Sequence, residues 1–161
     1  MTETPGQTIG PFFHHALAYP GDAELVPFGS AGSVVLHGFV YDGDGAAVPD
    51  AMIEIRQADG SGVVPAVDGS LRRRGSGFTG WGRCCTDAAG HYWFSTVEPG
   101  APFFAVTVFA RGLLDRLFTR IYLPGADVDG LTCVREADRR LRFDIHLQGP
   151  SETPFFTFPR S

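Results

Sequence analysis

The chain has 161 residues, 43% hydrophobic and 19% charged, with a formal net charge of -5. That length predicts one domain with a core large enough to need neither disulfide nor structural metal. The acidic balance excludes the clustered positive surface that nucleic acid demands. All 13 basic residues are Arg, which excludes Schiff-base chemistry and a P-loop lysine as well.

Met1 to Gly10 lacks the basic and apolar stretches of a secretory signal, which predicts a cytoplasmic protein. Thr4 to Phe13 reads as a Pro- and Gly-rich arm, on which the neighbouring His14 and His15 are expected to point apart. Ser33 to Tyr41 is rich in β-formers and runs into the turn chemistry of Asp42-Gly43-Asp44-Gly45. Met52 to Arg56 follows, with Ile53 and Ile55 on one face, so the two segments predict a hairpin. The Pro/Gly-rich stretches at Pro20 to Gly32 and Val64 to Gly80 read as loops, and Arg72 to Arg74 as a short solvated basic run. Asp87 to Gly90 is another turn, leading to a strand over His91 to Thr96 that Glu98-Pro99-Gly100 stops. Phe103 to Ala110 is continuously apolar. It predicts a strand covered on both faces, and it is far too short to span a bilayer. Leu117 to Leu123 offers a further strand, Arg135 to Arg140 a short helical turn, and Leu141 to Leu147 a cleanly alternating strand. Short strands at this spacing predict an all-β sandwich or barrel with long loops and little helix.

Chemistry is scarce in this pattern. Among His14, His15, His37, His91 and His146 there is no H-x-H or H-x-x-x-H pair, so each reads as a surface or hydrogen-bonded structural residue. Cys84, Cys85 and Cys133 lack metal-site spacing and read as reduced, packed thiols; Arg83 beside the vicinal pair leaves a redox role open. Paired aspartates such as Asp42 and Asp44 fall in Gly-bearing turns, where Asp serves the backbone. The aromatic ends, Pro11-Phe12-Phe13 and Pro154-Phe155-Phe156-Thr157-Phe158, dock back on the chain's own sandwich or bury against another chain. By spacing alone, no self-sufficient active site is written here.

An ordered set of segments nonetheless spans nearly the whole chain. It comprises Thr4-Pro5-Gly6-Gln7-Thr8-Ile9-Gly10-Pro11-Phe12-Phe13, Gly38-Phe39-Val40-Tyr41-Asp42-Gly43-Asp44-Gly45 with Pro49-Asp50-Ala51, and Ile53-Glu54-Ile55-Arg56-Gln57-Ala58-Asp59-Gly60. Further on stand Phe78-Thr79-Gly80-Trp81-Gly82-Arg83, Val97-Glu98-Pro99-Gly100, Phe109-Ala110-Arg111-Gly112 and Arg142-Phe143-Asp144-Ile145-His146-Leu147. Together they resemble the intradiol ring-cleaving dioxygenases, and within them the alpha chains of the heteromeric members. The resemblance implies a single intradiol-type β-sandwich over residues 1–161 with an N-terminal arm over residues 1–32.

Catalytic chains of that family hold Fe(III) with two Tyr and an H-x-H pair. The matching positions here are Phe103 and Ala105, which cannot ligate, and the segments expected to carry the Tyr ligands have none. The resemblance therefore implies no catalytic residue and no metal in this chain, with Fe(III) in a partner beta chain of a hetero-oligomer. It also implies that protocatechuate and O2 meet at a shared site whose wall includes Thr8, Gly10, Pro11 and Arg111. Without the resemblance, Arg111 reads as a solvated turn residue and Thr8 as an ordinary turn hydroxyl. The alternative function is a transthyretin-like binding module with no catalytic partner; a third reading is a self-sufficient hydrolase or redox protein using Cys84 and Cys85.

Overall fold

The computed structural model describes residues 8–10, 12–66 and 77–158; Pro11, the start of the arm and the basic run at Arg72 to Arg74 lie outside them. Its strands are β1 (Ser33–Tyr41), β2 (Met52–Arg56), β3 (Trp81–Cys85), β4 (His91–Val97), β5 (Phe103–Phe109), β6 (Leu117–Tyr122), β7 (Val134–Ala137), β8 (Arg140–Arg142) and β9 (Ile145–His146). One helical turn, α1 (Phe13–Ala16), precedes them. One sheet has the order β4-β1-β8-β7, with β9 continuing beside β1, and the other β3-β2-β5-β6. This is the expected β-sandwich. Its core is made by Leu36, Val40, Tyr92, Phe94, Leu141 and Ile145 from the first sheet against Ile53, Ile55, Phe104, Val106, Val108 and Ile121 from the second, all 2% exposed or less. Each such side chain contributes about 1.5–3 kcal/mol through burial.

The hairpin expected from β1 and β2 does not form. Asp42 Oδ1 accepts from the amides of Asp44 and Ala46 at 3.0 and 2.8 Å, and Val48 N donates back to Val40 O, so the turn is real. The chain then crosses to the other sheet, where β2 pairs with β3 and β5. Two strands that each carry one apolar face fit a hairpin or a pair of facing sheets equally well; the long-range pairing decides, and the turn cannot reveal it.

Three other expectations are corrected. Arg135 to Arg140 is not helical: β7 and β8 form a hairpin, because Leu141 is buried and β8 adds in parallel to β1. The strand expected over Leu141 to Leu147 keeps its alternating burial but splits into β8 and β9 at Phe143 and Asp144. In β5 only Phe104, Val106 and Val108 face the core, whereas Phe103, Ala105, Thr107 and Phe109 are half-covered on the outer face. An apolar run does not report which of its faces the chain itself can cover.

The arm is helical rather than extended where it carries its histidines. Phe13 is buried, and the turn of α1 brings the His14 and His15 rings to 3.9 Å between centroids. The two aromatic ends have mixed fates: Phe13 packs inward while Phe12 stays 73% exposed, and the C-terminal segment lies on the second sheet while Phe158 stays 66% exposed. No helix among the described residues is long and apolar enough to cross a membrane.

Candidate functional site

The antiparallel register of β2 and β5 places Met52 opposite Phe109 and Ile53 opposite Val108. Continued past the end of the ladder, that register sets Ala51 opposite Ala110 and Asp50 opposite Arg111. Ala51 and Ala110 are buried at 0% and 1% exposure, so the two chains are held together up to the residues that follow. Asp50 Oδ2 lies 3.0 Å from Arg111 Nε, the Asp50 side chain 13% exposed and the Arg111 side chain 60%. Arg111 is thus half of a cross-strand ion pair at the mouth of the sandwich, not a free turn residue.

The arm reaches the same place. Arg83, buried on β3 beside its cross-strand partner Glu54, donates from Nη1 to the carbonyl of Leu17 at 3.0 Å. Its own amide donates to Asp22 O, and Leu25 N donates to Ser95 O on β4. These bonds bind the arm along the edge where the two sheets meet. Upstream, Thr8 Oγ1 accepts from the amide of Gly112 at 2.9 Å, across 104 residues. Thr8 is therefore a long-range tether rather than a local turn hydroxyl. Gly112 has φ +92°, a backbone that suits glycine and turns its N–H toward the arm. Thr8 and Arg111 are brought together; Gly10 lies on the exposed arm with open space where a Cβ would stand, and Pro11 is outside the described residues.

Between arm and loop opens a cleft of about 180 Å³ lined by Ile9, Phe109, Ala110, Leu113, Leu114 and Arg116, with Asp115 at its rim. The cleft is open to solvent rather than enclosed, and Thr8, Gly10 and Arg111 are not among the residues that line it. A larger groove of about 660 Å³ crosses the outer face of the first sheet. Glu24, Phe28 and Gly29 at the end of the arm line one side of it, and its buried His37 is already engaged with Glu136 at 2.9 Å.

Phe103 and Ala105, where the family's ligating histidines would stand, offer no lone pair to a metal. The Phe103 ring instead carries the Arg120 guanidinium at 4.3 Å from its centroid. Arg120 also donates from Nη1 to Tyr122 Oη at 3.2 Å. Tyr92 is wholly buried and donates to the carbonyl of Phe143, and Tyr41 stacks on His146. Among the described residues no three His, Cys, Asp or Glu side chains converge. The side chains of Phe103 and Ala105 themselves present no donor atom that iron could use.

The thiols are equally unsuited to nucleophilic work. Burial pushes Cys84 up to about 12, with only a backbone hydrogen bond from Trp93 opposing it. Cys85 is raised chiefly by burial and then by Asp22, and the neighbouring Arg83 does not offset this.

Residues that the sequence did not single out are engaged at both ends of β2, Asp50 at the Arg111 end and Gln57 at the other. Asp50 acquires its meaning only from the β2–β5 pairing. Gln57 is buried between the sheets, donating from Nε2 to Ala58 O and Val97 O while its Oε1 accepts from Thr96 Oγ1. A buried amide just past a strand end was the one signal that could have drawn attention to it.

Comparison with known proteins bears on the whole chain. A dioxygenase family model matches residues 10–117. The protocatechuate 3,4-dioxygenase alpha chain of Burkholderia cepacia is 36% identical over 194 aligned positions, covering 97% of this chain and 98% of that one. The corresponding alpha chain of Pseudomonas putida is 31% identical over 98% of both. The beta chain from Burkholderia cepacia is 34% identical over 74% of this chain but only 51% of its own length. The alignment to the first alpha chain is longer than the 161 residues here, so that relative carries residues this chain lacks. Among solved structures, the dioxygenase domain of a carbohydrate-binding fusion from Streptomyces sp. SirexAA-E superposes with a TM-score of 0.63 at 24% identity, covering 92% of this chain and 99% of that one. Catechol 1,2-dioxygenase from Acinetobacter sp. ADP1 gives 0.60 at 19% identity, over 85% of this chain and 60% of its own. These two establish a shared fold.

Proposed function

The chain belongs to the intradiol ring-cleaving dioxygenase family, and from that premise we propose that it is the alpha, non-iron-binding subunit of a protocatechuate 3,4-dioxygenase. The observation that carries this reading is the near-full-length match to two alpha chains. The loss of donor atoms at Phe103 and Ala105 agrees with it. In this reading a single domain over residues 1–161, with the arm over residues 1–32, works in the cytoplasm as part of a hetero-oligomer. The partner beta chain would hold Fe(III), which would supply the chemistry by which O2 opens the protocatechuate ring between its hydroxylated carbons to give 3-carboxy-cis,cis-muconate.

This chain's part is to bind and orient. Thr8, Gly10, Pro11 and Arg111 form one wall of the shared pocket, Thr8 by holding the arm to Gly112. The Arg111 guanidinium meets the carboxylate of protocatechuate, so that the diol is presented to the partner. Fixing the ring in one pose converts part of the entropic barrier into binding.

Co-expression with a beta chain tests the reading. The complex is expected to consume one O2 per protocatechuate, and this chain alone to consume none. Oxygen uptake by the isolated chain would overturn the division of labour; failure to co-purify with any beta chain would favour a binding module instead. The match in full length to alpha chains leaves a transthyretin-like module without catalytic partner as the less favoured alternative.

A further inference from the structure

We propose that Asp50 is a positioning residue for substrate recognition: it holds the Nε edge of Arg111 so that the opposite edge of the guanidinium is presented to an aromatic carboxylate. The inference rests on the reading of Arg111 given above and adds to it the residue that sets its direction.

An arginine at the end of a strand has four rotatable side-chain bonds, and left alone its charge samples a wide arc. Binding a carboxylate would then require that freedom to be lost, which weakens binding. In this fold the freedom is already restricted. Asp50 is held by its neighbour, because Ala51 donates its amide to the buried Thr86 hydroxyl and accepts at its carbonyl from Thr86 N. The Asp50 side chain is itself mostly covered, while the Arg111 side chain as a whole is 60% exposed. Two unequal exposures in one ion pair mark a fixed end and a presented end.

Contact at Nε leaves the edge bearing the two terminal nitrogens for a second acceptor. That edge forms the planar fork that matches a carboxylate in two parallel hydrogen bonds. Among the described residues Arg111 has no other ion-pair partner. The adjoining amide of Gly112 is tied to Thr8, so the backbone that carries Arg111 is fixed from the arm as well. A role confined to stability would be modest, since an ion pair with one exposed partner contributes little to folding.

The test uses the assembled alpha-beta complex, with 4-hydroxybenzoate and its neutral analogue 4-hydroxybenzamide as competitive inhibitors. Asp50→Ala is expected to raise the KM for protocatechuate and the inhibition constant of 4-hydroxybenzoate together, three- to tenfold. The inhibition constant of 4-hydroxybenzamide and kcat are expected to stay within twofold. Asp50→Asn, which keeps an acceptor, is expected to recover part of the loss. Arg111→Ala is measured alongside. If it separates the two inhibitors and Asp50→Ala does not, the positioning role is overturned while the reading of Arg111 stands. If Arg111→Ala fails to separate them, the reading of Arg111 itself falls. Equal losses for both inhibitors in Asp50→Ala would make Asp50 a merely structural residue.

Discussion

The wholly buried hydroxyl of Tyr92 donates to the carbonyl of Phe143 at 2.6 Å, at the point where the pairing of β1 with the last strands lapses. Phe143 and Asp144 separate β8 from β9, yet β1 keeps one register with both, Val35 opposite Arg140 and Val40 opposite Ile145. The lapse is filled by side chains: Asp144 Oδ1 accepts from Phe39 N at 3.0 Å, and Tyr92 satisfies the carbonyl of Phe143. Gly38 makes room for this, since a Cβ there would stand 1.8 Å from that carbonyl oxygen. Tyr92→Phe leaves a buried acceptor unpaired and is expected to cost about 1–3 kcal/mol. Gly38→Ala forces backbone against backbone and is expected to cost more. Urea unfolding measures both; an unchanged midpoint for Tyr92→Phe would show that water or another donor replaces the phenol.

How far the sequence revealed this fold follows from the range over which each signal acts. The strands β1, β2, β4 and β6 were legible because alternation and turn residues are local. Their partnership was not: β2 lies beside β5, about fifty residues on, and nothing in Met52 to Arg56 names that neighbour. The same limit hid Asp50, whose opposition to Arg111 exists only after the ladder has formed. The arm's Thr8 and the loop's Arg111 were found through resemblance, since a threonine among glycines and prolines carries no chemical signature of a bond to Gly112. The turn aspartates were legible: Asp87 Oδ1 accepts from the amides of Ala89 and His91 as such turns require.

The three thiols make a prediction about alkaline pH. Burial raises Cys84 to about 12 and Cys133 to about 11, and raises Cys85 as well. In the unfolded chain they ionise near 9, so above that pH the unfolded state binds fewer protons than the folded one. Their contribution to stability is complete below pH 9 and is lost as pH rises toward 11 and 12. At pH 8 a thiol-specific disulfide reagent is expected to modify Cys84 and Cys133 only after denaturation. Cys84→Ala should flatten the alkaline limb of the stability curve. Rapid modification of Cys84 in the native protein would show that its environment is open to solvent.

Arg120 is held between two aromatic rings, 4.3 Å from the centroid of Phe103 and 5.6 Å from that of Phe156. The C-terminal segment is fixed there by backbone, with Phe156 N donating to Phe118 O at 2.7 Å and Thr119 Oγ1 donating to Pro154 O. Partly exposed cation–π contacts contribute about 0.5–1 kcal/mol. Arg120→Met keeps most of the stem and removes the charge, so it isolates that contribution. A double-mutant cycle with Phe156→Leu is expected to give a coupling of about 0.5–1 kcal/mol in thermal unfolding. Additive losses would mean that the guanidinium merely lies near the ring.

Arg111 and Thr8 occupy one corner of the molecule but act on different parts of binding, and kinetics can separate them. In the proposed complex Arg111 would meet the substrate through its charge, and a hydrogen bond to a charged group contributes about 1.5–3 kcal/mol. In the complex, Arg111→Ala is therefore expected to raise KM for protocatechuate by about ten- to a hundredfold. Its effect on catechol, which has no carboxylate, should be small. Thr8 touches no carboxylate; it accepts from Gly112 and holds the arm against the loop. Thr8→Val removes the acceptor while nearly preserving shape, and the loosened arm is expected to weaken protocatechuate and catechol by similar factors. A Thr8→Val complex that discriminates between the two substrates as Arg111→Ala does would mean that the tether acts by aiming the guanidinium rather than by closing the pocket.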